Sequence, residues 1–195
     1  LDTLSRFDME ARTVRPVWVS VNVPGDAEAG IYRSEVVVSR KGFGRVSLPL
    51  ELEVLDHVLP SPDQWEYHLD LWQHPSAVAR AYGVELWSDA HFDALKPLMK
   101  RLADAGQKVI TTTLIHKPWG GQTYDHFESM VKWIKKADGT WEYDFSIFDK
   151  WVEFMMSCGV TAQISCFSIA PWSSSFRYFD KASESYQYVN ADVGT

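Results

Sequence analysis

Only two cysteines, Cys158 and Cys166, occur in the 195 residues of this chain. One falls at a predicted helix end and the other inside a predicted strand, so they read as buried thiols rather than a disulfide framework. Excess positive charge is missing too, with a net charge of -7 and a pI near 5.3. That balance excludes the basic footprint a nucleic-acid or anionic-membrane partner requires. No apolar run approaches the length of a membrane span, so membrane insertion is not expected. The opening residues, LDTLSRFDME, lack a charged-then-apolar layout, and export is not legible in them. Several chemical motifs are also absent. There is no HExxH helix, compact Cys/His set or GxSxG elbow; Gly42 to Gly44 lacks a third glycine, and Gly120-Gly121 has no Lys-Ser/Thr after it. No metal, cofactor or phosphate-cradling site is therefore expected, and neither cysteine has an evident base to make it a nucleophile.

What the chain does have is aromatic side chains, 14% of residues, with nine tryptophans. Most belong in a core. Trp72, Trp119 and Trp172, near proposed strand ends or in loops, have a stronger claim to binding, because flat aromatic faces suit the apolar faces of sugar rings when a few polar groups stand beside them.

The organising stretch is WEYHLDLWQHP, Trp65 to Pro75. Its alternation sends Leu69 and Leu71 to one face of a strand and His68, Asp70 and Trp72 to the other. The helix, strand, helix and strand that follow predict the start of a (β/α) barrel, with Trp72 and His74 at the rim where strand C-termini carry chemistry. Before this stretch, Val17 to Pro24, Ile31 to Ser39 and Arg45 to Leu55 read as strands separated by Gly/Pro/Asp-rich turns. Three strands make only part of a β-sandwich, which usually carries about seven. Asp56 to Gln64 is a Pro-rich linker, which gives two domains: a partial β-sandwich over 1–58 and a partial barrel over 59–195.

Beyond Pro75 a short helix ends at Gly83, and a longer one, capped by Ser88 or Asp89, runs to Gly106 with Phe92, Leu95, Met99 and Leu102 on one face. Pro97 predicts a kink or break in it. Lys108 to Ile115 is the second strand. The next loop, HKPWGGQTYDH, falls at the same rim as Trp72. A hairpin about Asp138-Gly139 pairs Lys135 with Glu142 and Ile134 with Tyr143 if its loop has two residues. Ser146 and Asp149 stand at capping-box spacing, ahead of a stripe of Phe148, Trp151, Val152 and Met155 that stops at Gly159. Thr161 to Ser168 is the third strand. The rest is a long rim loop, beginning IAPWSSS, with a second hairpin between Phe176 and Val189. A closed barrel needs eight strands and about 250 residues, so this α/β chain is expected to be a truncated piece: a partial sandwich followed by the first three strands of a (β/α)8 TIM barrel.

Asp70 is the strongest single candidate, because an inward carboxylate suffers desolvation unless a substrate or a partner meets it. It is read either as a site residue or as a structural carboxylate. His74 and His116 are read either as hydrogen-bonding ligands of a polar substrate or as loop residues.

The strings PVWVSVNVPGDAEAGIYRSEVVV, LPLELEVLDHVLPSPDQWEYHLDLWQHPSAVARAYGVELWSDAHF and LADAGQKVITTTLIHKPWGGQTYDHFESMVKWIKKADGTWEYDFSIFDKWV resemble glycoside hydrolase family 123 over nearly the whole chain. The resemblance implies a sandwich followed by a (β/α)8 barrel, secretion or a periplasmic or cell-surface location, and a glycan as partner. It also implies substrate-assisted retaining hydrolysis of terminal β-linked N-acetylhexosamine, most of all N-acetylgalactosamine. The sugar's own acetamido oxygen attacks the anomeric carbon, an aspartate polarises that group, and an adjacent glutamate serves as acid and base. The family's catalytic pair is a consecutive Asp-Glu, and no such dipeptide occurs in these residues. The pair is expected downstream, which leaves no catalytic residue here. Asp70, Trp72, His74, His116, Trp119 and Trp172 are the substrate-binding candidates. The rival reading is a non-catalytic carbohydrate-binding protein on a barrel scaffold.

Overall fold

The computed structural model of the chain describes residues 6–168 and 170–190. These fall into two units, one up to Leu59 and one from Pro60 on.

The first unit is built on an antiparallel ribbon of β1 (Gly30–Arg40) and β2 (Gly44–Val54), in register from Gly30↔Val54 to Arg40↔Gly44. The turn uses positive φ at Gly42 and Gly44, and the Arg40 guanidinium sits 4.0 Å over the Phe43 ring. Across the ribbon Arg33 meets Glu51 at 2.9 Å, the opposite-charge pairing a shared register position favours. The predicted strand over 17–24 does not form. That segment joins no ladder among the described residues; Val21 and Val23 instead line an apolar groove of about 310 Å³ with Leu50, Leu52 and Val54. High β-propensity makes a strand only where the segment pairs along an edge, and this one does not.

The second unit holds α1 (Pro75–Tyr82), α2 (Asp89–Asp104), β3 (Val109–Thr113), β4 (Lys132–Lys135), β5 (Trp141–Asp144), α3 (Ser146–Cys158), β6 (Gln163–Phe167), β7 (Ser175–Asp180) and β8 (Ser185–Asn190). β3 and β6 pair in parallel from Val109↔Gln163 to Thr113↔Phe167, with α3 as the crossover. Every residue of β3 is buried, and its threonines bury their hydroxyls by bonding: Thr112 Oγ1 donates to Ser165 O at 3.0 Å and Thr113 Oγ1 to Glu128 O. The core is Phe92, Leu95 and Met99 of α2, Ile110 of β3, Met130, and Trp151, Met155 and Cys158 of α3. Trp151 also donates its indole N–H to Thr111 O at 2.9 Å, which locks α3 onto the strand.

Residues 65–75 are not a full strand. One parallel bridge joins Leu69 to Gln107, with Lys108 N–H donating to Leu69 O at 2.9 Å. Beyond it two glutamine side chains replace the backbone ladder. Gln107 Oε1 accepts from Leu71 N–H at 2.9 Å, and its Nε2 donates to Leu71 O and Val109 O. Gln73 Oε1 accepts from Thr111 N–H at 2.7 Å, while its Nε2 donates to Leu71 O and to Val109 O. Within the stretch Gln73 and Pro75 are buried, whereas Leu71 is exposed.

Several local expectations are corrected. Of the kink or break expected at Pro97, the break does not occur, since α2 is continuous there; the carbonyl that Pro97 leaves without a donor belongs to exposed Asp93, where water can satisfy it. The hairpin register is one residue off: Lys135 faces Trp141, Ile134 faces Glu142 and Trp133 faces Tyr143. The reason is a three-residue loop. Lys136 N–H donates to Thr140 O at 2.8 Å, only Gly139 takes positive φ (+84°), and Asp138 Oδ1 accepts from Thr140 N–H at 2.9 Å. A two-residue type I′ loop needs positive φ at both central positions. No capping box forms either, since Ser146 is already helical and its N–H donates to Asp144 Oδ1 at 2.9 Å. Cys166 is exposed, not buried, because β6 pairs on only one side among the described residues.

The second hairpin does form, with Phe176 opposite Val189, and β7 joins β4 in parallel to give one four-stranded sheet, β5-β4-β7-β8. The loop start at Ile169 lies outside the described residues. The fold is mixed α/β with several sheets, and no closed barrel is present among the described residues.

Candidate functional site

The candidate side chains come from the stretch before α1 and from the loops that follow β3 and β6. The glutamine-stapled stretch delivers Trp72 beside the end of β6, where its ring lies 4.8 Å from Phe167 and stacks on Trp119 at 4.7 Å and 27°. Trp119 comes from the loop after β3 and meets Phe127 edge-on at 4.8 Å. Phe127 in turn carries the His74 ring at 3.7 Å. Trp72 keeps 51% of its surface exposed, so the stack ends in an open aromatic face. Trp172 is 70% exposed, and its N–H donates to Pro118 O at 3.0 Å, which ties its loop to that of Trp119.

His74 precedes α1, and its Nε2–H donates to Asp125 O at 2.9 Å, leaving Nδ1 as a buried acceptor with no partner among the described residues. Burial holds its pKa below the ordinary 6.5, so the ring is neutral at neutral pH. Asp125 is fixed by Arg80 of α1, whose Nε reaches both carboxylate oxygens at 2.7 and 2.9 Å.

A second group gathers around Glu128. His116 is buried, with Nδ1 3.0 Å from Glu128 Oε2, and Arg177 of β7 reaches the same oxygen at 2.6 Å. Burial pushes the Glu128 pKa up, but His116 and Arg177 outweigh it and hold the carboxyl below its ordinary value. A carboxylate held ionised in this way cannot protonate a leaving group at neutral pH; it can orient an imidazole and accept hydrogen bonds.

Of the six residues predicted for the site, Trp72, His74 and Trp119 share one cluster and Trp172 is tethered to it, while His116 belongs to the Glu128 group. Asp70 is exposed and has no ion pair among the described residues, so the desolvation argument for it does not hold in this chain. Glu128 and Arg177 escaped the sequence reading. Their signal is a lone charge set in apolar neighbours, Phe127 and Met130 around one, Phe176 and Phe179 around the other. Among the described residues no three His, Cys, Asp or Glu side chains stand together as a metal set, and no helix is long and apolar enough to cross a membrane.

Comparison with known proteins gives the family. Residues 72–195 match the model of the glycoside hydrolase 123 catalytic domain, and residues 1–40 match the glycoside hydrolase 123 N-terminal domain. No curated protein matches. A solved family 123 glycoside hydrolase from Clostridium perfringens, described for glycolipid glycan hydrolysis, is 32% identical, with a TM-score of 0.80 over 87% of this chain and 31% of that one. With the catalytic-domain match spanning well over half of its residues, the chain belongs to glycoside hydrolase family 123.

Proposed function

We propose that this chain forms one wall of the sugar site of a β-N-acetylhexosaminidase that removes terminal β-linked N-acetylgalactosamine by substrate-assisted, retaining hydrolysis. The observation that carries the reading is the open Trp72–Trp119 stack at the strand ends, a surface suited to the apolar face of a pyranose. His74, His116 and Trp172 supply the neighbouring contacts, and Asp70 is a further candidate on the same stretch. The acetamido oxygen acts as nucleophile, and an Asp-Glu pair outside these residues polarises it and serves as acid and base. Glu128, ion-paired and ionised, is no substitute for that acid. The first three strands of a (β/α)8 barrel and part of a β-sandwich are the proposed scaffold, acting on glycans outside the cytoplasm.

The test measures release of aryl alcohol from aryl β-N-acetylgalactosaminide and β-N-acetylglucosaminide. The chain alone is compared with a longer polypeptide that contains it and an Asp-Glu pair. Turnover by the longer protein only, with the galacto compound preferred and a higher KM after Trp72→Ala, is the expected result. Turnover by the chain alone would overturn the assignment of the acid to other residues. A folded longer protein that hydrolyses neither compound yet retains sugar binding would favour a non-catalytic binding role.

A further inference from the structure

A cavity of about 410 Å³ opens between the start of α2, the start of α3 and the four-stranded sheet. Its walls include Trp87, Glu128, Lys132, Asp144, Arg177 and Tyr186, and its size falls within the ~300–1,000 Å³ typical of small-molecule sites. No residue predicted for the site lines it.

Trp87 is held there at a cost. It is a bulky residue at φ +66°, a conformation L side chains avoid, and buried His91 fixes it by accepting its backbone N–H at Nδ1, 3.0 Å away. The other ring nitrogen of His91 donates to Pro75 O at 3.0 Å, so both nitrogens serve to fix this turn.

The polar walls balance in charge, with Glu128 and Asp144 against Lys132 and Arg177. Glu128 Oε2 takes both His116 and Arg177, and Asp144 Oδ1 takes the Ser146 N–H; no partner for the second oxygen of either occurs among the described residues. Lys132 Nζ lies 4.6 Å over the Phe179 ring, and the Arg177 guanidinium lies 4.8 Å over the Tyr186 ring. An ionic ligand entering such a space gains no net counter-charge for the water it gives up. A neutral polyol does better, since each hydroxyl both donates and accepts, and the aromatic side chains Trp87 and Tyr186 in the wall offer apolar surface to its C–H groups.

We infer that this cavity binds one neutral pyranose unit. The inference rests on the glycan reading above for its ligand class, but not on hydrolysis.

The test is a titration of the chain with N-acetylgalactosamine and, separately, with galactose, followed by NMR at the Trp87 indole N–H and the Lys132 and Ile147 amides. Saturable shifts at these positions in the millimolar range are expected. Lys132→Met, which changes an exposed side chain, should weaken binding about tenfold by removing one charged donor, with the spectrum otherwise intact. Shifts confined to Trp72 and Trp119 would overturn the inference while leaving the proposed hydrolase site standing. No shift anywhere would overturn it as well, and the hydrolysis assay would then judge the proposed function on its own. Tighter binding of N-acetylneuraminate or glucosamine at the same resonances would overturn the neutral ligand class.

Discussion

Gln73→Leu tests whether side-chain amides fasten the Trp72 stretch to β3. Leucine fills similar volume but accepts nothing, so Thr111 N–H loses the Gln73 Oε1 it meets at 2.7 Å inside the protein. The carbonyls fare better, because Gln107 Nε2 still donates to Val109 O at 2.7 Å and to Leu71 O at 3.2 Å. One orphaned buried donor costs about 1–3 kcal/mol, and the lost bonds add about 1 kcal/mol against a small gain from burying apolar carbon. The expected loss is about 2–3 kcal/mol, a fall in Tm of about 4–12 °C for a protein of this size. Urea unfolding followed by tryptophan fluorescence measures it. A loss below about 0.5 kcal/mol, within the range of an ordinary surface substitution, would refute the staple as the link. Because Gln73 sits between Trp72 and His74, the same variant should loosen the Trp72–Trp119 stack, visible as a changed near-UV dichroism.

Two further predictions concern backbone and pH. Gly159→Ala should destabilise more than Gly83→Ala: at Gly159 φ is +108° and a new Cβ would lie 3.3 Å from Ala103 Cβ, whereas Gly83 at +64° has nothing within 4 Å. Denaturant midpoints in the opposite order would contradict this. Glu128 titrates below its ordinary 4.5 in the folded chain, so its stabilisation is fully present above that value and is lost as pH falls through the folded pKa. Wild type should therefore exceed Glu128→Gln in stability at neutral pH, and the gap should close on acidification below 4.5; a gap independent of pH would refute the ion-pair account.

Much of the local structure was legible because single residues carry it: Ser88 caps α2 by accepting from His91 N–H, and Gly83 and Gly159 end their helices in left-handed conformations. The nearness of Trp72 to Trp119 followed from placing both at one rim, although the stretch that carries Trp72 makes a single bridge rather than a strand. What alternation could not reveal was that Gln73 would turn inward, since an amide reads as a surface residue until a facing strand supplies the peptide groups it bonds. Turn signals misplaced the first hairpin by one residue, because Asp138-Gly139 suits two- and three-residue loops alike and only the φ of Asp138 decides. Glu128 and Arg177 were missed for a different reason: a pairing between a loop and a strand far along the chain leaves no local spacing to read.

The junction of the four-stranded sheet sets an order of events during synthesis. The β4–β7 ladder is short, Ile134↔Phe179 and Lys135↔Asp180, while β4–β5 and β7–β8 are each closed by a short turn. Hairpins form within about 1–10 μs, far faster than residues leave the ribosome at about 5–20 per second. The β4–β5 hairpin can therefore form before β7 has been made, and Glu128 has no arginine to pair with until α3 and β6 have emerged. A nascent chain arrested before Arg177 should show a His116–Glu128 pair still open to solvent, so the last charge to be synthesised is the one that seals it.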